Sequence, residues 1–136
     1  MHFSKTKIVT FTHRVMISLF SLALGFHILV LLRIIPYEMV WGGRISTLSE
    51  MYIFETISIL INLLFLFVIL IRAGMLKIKA SRKLINISLW FMALLFLLNT
   101  AGNLVSKNPM ERLIFTPLTL IISTLCFMLI FLGEKE

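Results

Sequence analysis

The sequence predicts an all-α integral membrane protein: a four-helix bundle of transmembrane helices with both termini on the same side. Three observations predict it. The 136 residues are 60% hydrophobic and only 14% charged, against roughly 25% charged in an average soluble domain. Mean hydropathy is +1.04, and a water-soluble chain this small has no core large enough to hide that much apolar surface. Four long apolar runs occupy residues 15–32, 53–71, 84–98 (with a polar extension to 105) and 113–132. Crossing the hydrocarbon takes about 20 residues as a helix. None of the runs alternates at every second residue, as a barrel strand would. The spans are placed at about 15–35, 50–72, 83–105 and 112–132, within a single domain over residues 1–136.

The first span follows Lys5, Lys7 and Arg14. A basic start before an apolar run is the pattern of a signal peptide. This run is too long, and the chain continues Leu32-Arg33-Ile34-Ile35-Pro36 without a small-residue cleavage site, so an uncleaved span is expected. On it, Ser18, Ser21 and Gly25 form a small-residue stripe suited to close helix packing. His27 lies roughly opposite that stripe. The following loop, residues 35–44, mixes Tyr37 and Trp41 with the pair Gly42-Gly43 and Arg44. It reads either as an interfacial segment with its aromatic rings at headgroup level, or as a lid that lets Arg44 turn inward over the bundle mouth.

Thr47-Leu48-Ser49-Glu50 fits a capping box, which starts the second helix near Leu48. That helix should end before Gly74, a left-handed cap. Ser81 is the N-cap candidate for the third helix. Asn108-Pro109-Met110-Glu111 opens the fourth, with proline at the first helical position. Pro117 then falls inside that helix, where it should weaken the bond to the Leu113 carbonyl and kink the chain.

The net charge of +7 is arranged as topology rather than as a nucleic-acid footprint. Nine basic residues, Lys5, Lys7, Arg14, Arg72, Lys77, Lys79, Arg82, Lys83 and Lys135, fall on one side of the spans. Four, Arg33, Arg44, Lys107 and Arg112, fall on the other. The richer side is expected to be cytoplasmic, with both termini there and the chain in the plasma membrane. Its basic loop would also attract anionic lipid headgroups. The single cysteine, Cys126, excludes an intramolecular disulfide and a two-cysteine redox centre. No metal or cofactor is expected: nothing pairs with His27 at a ligand spacing, and His13 and His2 lie at the basic end and the terminus.

Ionisable residues inside a span are costly and point to function. Glu55, Ser58 and Asn62 share one face of the second helix at i, i+3, i+7. Asn99 and Asn103 share a face of the third, with Thr100 beside them. Thr116, Thr119 and Ser123 repeat the spacing on the fourth. All three groups fall in the outer half of the expected topology. Lipid-facing amides would cost several kcal/mol each, so the groups are expected to face one another. The expected site is a polar pocket of Glu55, Ser58, Asn62, Asn99, Asn103 and Thr119 with Arg44 at its mouth. The alternative is polar glue between helices, with Glu55 in an interfacial ion pair with Arg44.

Three function classes follow. The first binds or transports a lipid or a small polar or cationic molecule through that pocket, with transport calling for a homodimer. The second is an accessory subunit that docks on the helices of a membrane-protein partner. The third, and least supported, is a membrane-embedded enzyme with Glu55 as general acid or base, since no second catalytic group stands beside it in the sequence.

Overall fold

The computed structural model describes residues 4–133; His2 and Lys135 lie outside them. The chain is all-α, 82% helical, with no strand among the described residues. Its helices are α1 (Lys5–Leu31), α2 (Leu48–Arg72), α3 (Arg82–Leu104) and α4 (Thr116–Leu132). With the turn that leads into α4 included, all four are long and apolar enough to cross a membrane. Successive helices run antiparallel. Residues 73–81 and the end of α4 mark the basic end of the bundle; residues 32–47 and 105–110 mark the loop end.

The helices pair as two hairpins, α1 with α2 and α3 with α4. The hairpins meet mainly along α1 and α4, and α2 touches α3 only narrowly. The main core is an apolar cluster. Met16, Phe20, Phe65, Ile69, Leu89, Met92, Phe96, Ile122, Cys126 and Leu129 are buried in one cluster. Phe20, Phe65 and Phe96 bring α1, α2 and α3 together, Phe20 edge-on to Phe65 and both tilted against Phe96, with centroids 5.8–6.0 Å apart. At the loop end, Val40 and Ile45 pack on Val30 and Met51 in a second small core. The first loop therefore contributes apolar side chains to the interior.

The helix ends follow from capping. Thr47 Oγ1 accepts from the Glu50 amide at 3.2 Å, and Glu50 reaches back to the Thr47 amide, completing the box. α2 ends in a Schellman motif on Gly74 (φ 71°), whose amide bonds Ile71 while Met75 bonds Leu70. Ser81 precedes α3 as its N-cap, but its side chain makes no capping bond.

Two boundaries differ from expectation. α1 begins at Lys5, so Lys5, Lys7 and Arg14 stand on the helix instead of preceding it. It also stops at Leu31, short of 35, in a second Schellman motif. Here the left-handed residue is Arg33 (φ 62°), with Arg33 N–H on Val30 and Ile34 N–H on Leu29. The expected kink at Pro117 takes a different form. Residues Glu111–Phe115 form a π-helical turn, and the Thr116 amide bonds the Glu111 carbonyl. Pro117 has no N–H to give Leu113, and the wider turn accommodates that missing bond.

Candidate functional site

Glu55 is the centre of the polar chemistry. It sits two turns into α2 and is 1% exposed. Each carboxylate oxygen has one partner. Oε2 lies 2.7 Å from Nδ1 of His27 on α1, and Oε1 accepts from the Trp41 indole N–H at 2.8 Å. One proton serves the imidazole contact. Nδ1 carries it when Glu55 is ionised; Oε2 carries it when the acid is neutral and the ring accepts. Neither partner has a permanent charge. The α1–α2 hairpin sets this geometry by placing residues 27 and 55 at one depth on facing helices.

The first loop delivers Trp41. Two 3-10 turns, Tyr37–Met39 and Trp41–Gly43, fold it over the bundle end. Trp41, Gly42 and Gly43 all take left-handed φ, at 57°, 67° and 68°. For glycine this is free; for Trp41 it is a strained backbone. The Trp41 ring also stands 5.1 Å from that of Phe54. The loop folds over the bundle end and brings the Trp41 indole onto Glu55, with the residue 41% exposed. Arg44 does not turn in to Glu55. It is exposed, and Glu55 is paired with His27 and Trp41 in its place.

A second buried carboxylate, Glu111, holds the next residue of the same loop. Its Oε1 accepts from the Gly42 amide at 2.6 Å, and the residue is 5% exposed. Asn108 Nδ2 bonds the Met39 carbonyl alongside. The α3–α4 hairpin therefore grips a loop that belongs to α1 and α2.

The other expected site residues separate into two groups. Ser58 is buried, and Asn62 Nδ2 donates to the Ser58 carbonyl at 2.8 Å, a bond within α2. On α3 the inward residue is Thr100, whose hydroxyl stands 2.9 Å from that of Thr119 on α4. Both threonines also bond carbonyls of their own helix, Phe96 and Phe115. Ser123 donates across the same seam to the Ala93 carbonyl at 2.8 Å. Asn99 is exposed and Asn103 half-buried, and neither reaches Glu55.

The described residues thus bring Glu55 together with His27 and Trp41, not with Asn99, Asn103, Thr119 or Arg44. The reason is the hairpin pairing. α2 and α3 meet only narrowly, through the rings of Phe65, Phe91 and Phe96, and their polar faces do not come together. His27 and Glu111 were the residues that spacing could not supply. His27 is 28 positions from Glu55, and Glu111 was taken up by the reading of a helix start.

The arrangement can hold a proton or a cation at a carboxylate. It has the carboxylate–imidazole part of a general-base pair. Among the described residues, however, no hydroxyl or thiol bonds His27 Nε2, and no cluster of three or more potential metal ligands forms. No family model, curated protein or solved structure matches the chain.

Proposed function

We propose that this chain is a small integral membrane protein that binds a cation or a proton at Glu55, under a loop facing the outer leaflet. One observation carries the reading. Among the described residues, a carboxylate 1% exposed inside a candidate span is partnered only by His27 and Trp41. Packing between helices is served by amides and hydroxyls, and a buried charge adds cost without improving it. The imidazole is a conditional counter-charge. With His27 neutral and Glu55 ionised the site carries one negative charge, which a small cationic molecule displacing Trp41 would neutralise. The excess of Lys and Arg at the basic end supports cytoplasmic termini in the plasma membrane and an outward Glu55. Passage across the bilayer would call for a second copy of this narrow bundle.

A second reading, an accessory subunit, has an observation of its own. Ser18, Ser21 and Gly25 are exposed on α1, and a side chain added at Gly25 would meet nothing within 4 Å. Native mass spectrometry of protein released gently from detergent separates the two. A discrete bound mass that is lost in Glu55→Gln supports the binding site. A bare chain travelling with another polypeptide, unaffected by Glu55→Gln, replaces it with the accessory reading.

A further inference from the structure

The loop over Glu55 is held at two successive residues by two buried carboxylates from different hairpins. Trp41 donates its indole N–H to Glu55 on α2, and Gly42 donates its backbone N–H to Glu111 ahead of α4. We propose that Glu111 is a positioning residue for the Glu55 site: by fixing the Gly42 amide it seats the Trp41 indole on the Glu55 carboxylate.

The helix start itself argues for this role. Glu111 stands three residues after Asn108, the position at which a glutamate ordinarily bends back to cap its own helix. Glu50, at the matching position of α2, does so: its Oε2 accepts from the Ser46 and Thr47 amides. Glu111 does not. The Asn108 amide is taken by Ser106 Oγ at 3.0 Å, and Asn108 Oδ1 caps the Met110 amide. With its local donor satisfied by another group, Glu111 reaches a donor 69 residues away. The π-helical turn at Glu111–Phe115 sits at this residue, as such turns often do at sites with a task beyond the helix.

Gly42 is fitted to the same contact. Its φ of 67° strains any side chain there, although the space itself would admit a Cβ in ordinary contact with Arg44 Nε, Ser106 Oγ and Glu111 Oε2. Trp41 stands one residue away in a left-handed conformation that its own backbone does not favour. Releasing Gly42 therefore removes the restraint nearest the indole. What this means for ligand entry rests on the reading of Glu55 as the binding group; the seating of Trp41 does not.

The test reads the Trp41 indole N–H directly, by nitrogen–proton NMR in a Trp90→Phe background that leaves a single indole signal. In the parent the signal should be shifted downfield by its carboxylate partner and slow to exchange. Glu111→Ala and Gly42→Ala, two unrelated substitutions, should each move it toward the free position and speed exchange about tenfold, the loss expected for a hydrogen bond to a charged group. Glu111→Gln, which keeps an acceptor, should retain most of the bonded signal. An indole signal unchanged in both Glu111→Ala and Gly42→Ala, yet moved by Glu55→Gln, would overturn the proposal. If the signal responds to Glu111 while no bound mass ever depends on Glu55, the positioning stands and the binding function falls.

Discussion

His27, Glu55 and Trp41 form a unit in which each substitution has a separable cost. Removing the imidazole leaves Oε2 of a buried carboxylate without its partner. An unmet buried acceptor costs about 1–3 kcal/mol. The Thr100–Thr119 contact on the α3–α4 seam provides the comparison. Both hydroxyls also bond their own helix, and polar contacts between membrane helices average about 0.6 kcal/mol. His27→Ala should therefore lower stability by about 1–3 kcal/mol, and Thr119→Val by about 0.6 kcal/mol. Unfolding midpoints of the two variants in one detergent check the order. Equal shifts would mean that Glu55 is held no differently from ordinary helix glue. Glu55→Gln belongs between them, because the amide oxygen still accepts from Trp41 and the amide can still meet His27.

At the level of elements, the two Schellman motifs pose a controlled comparison. α2 closes on Gly74 and α1 on Arg33, with the same pair of backbone bonds and nearly the same φ. A side chain in the left-handed region costs roughly 1 kcal/mol, which glycine avoids. Arg33→Gly should accordingly raise the unfolding free energy by about 0.5–1 kcal/mol, measured by reversible denaturant unfolding in micelles. A loss of stability would show that the Arg33 side chain contributes more than its backbone costs. The same pair explains what could be read beforehand. Gly74 is a visible stop signal, whereas nothing about Arg33 marks a helix end, and the first span was accordingly drawn to 35. The capping box at Thr47 and the proline start after Asn108 were legible for the same reason as Gly74: they are local chemistry. Apolar run length gave all four helices. The candidate site was legible only in part. Glu55 stands out as a carboxylate in an apolar run, but its partners depend on which helices pair. Asn99 and Asn103 are expected in the interior from their shared face and the cost of a lipid-facing amide, but a 3.6-residue period does not say which face turns inward. Thr100, one residue on from Asn99, is the α3 residue whose hydroxyl meets Thr119 on α4.

Across the described residues the acids gather at one end of the bundle and the bases favour the other. The described acids, Glu38, Glu50, Glu55 and Glu111, all belong to the loop end. The basic end carries Lys5, Lys7, Arg14, Arg72, Lys77, Lys79, Arg82 and Lys83, with no acid among the described residues. Part of that charge is structural. Arg72 and Arg82 both donate to the Gly133 carbonyl, at 3.0 and 2.8 Å, tying the ends of α2 and α3 to the C-terminus of α4. Cations at that position also complement the helix dipole. An added Cβ at Gly133 would lie 1.9 Å from Arg72 Nη2, so glycine makes room for the guanidinium. Lys77 and Lys79 lie in the connecting loop, exposed and away from any helix end that needs them. Their position is what the proposed cytoplasmic orientation of this end expects. Orientation decides what Glu55 can meet, since the site lies near the loop end and opens to whichever compartment that end faces. Cys126 is fully buried, so Cys126→Ser gives a silent background for single-cysteine labelling. In intact cells a membrane-impermeant maleimide should label a cysteine placed at Ser46 and leave one at Lys79 unlabelled until the membrane is opened. Labelling at Lys79 from outside would invert the bundle, turn Glu55 toward the cytoplasm, and make any cation at that site an intracellular one.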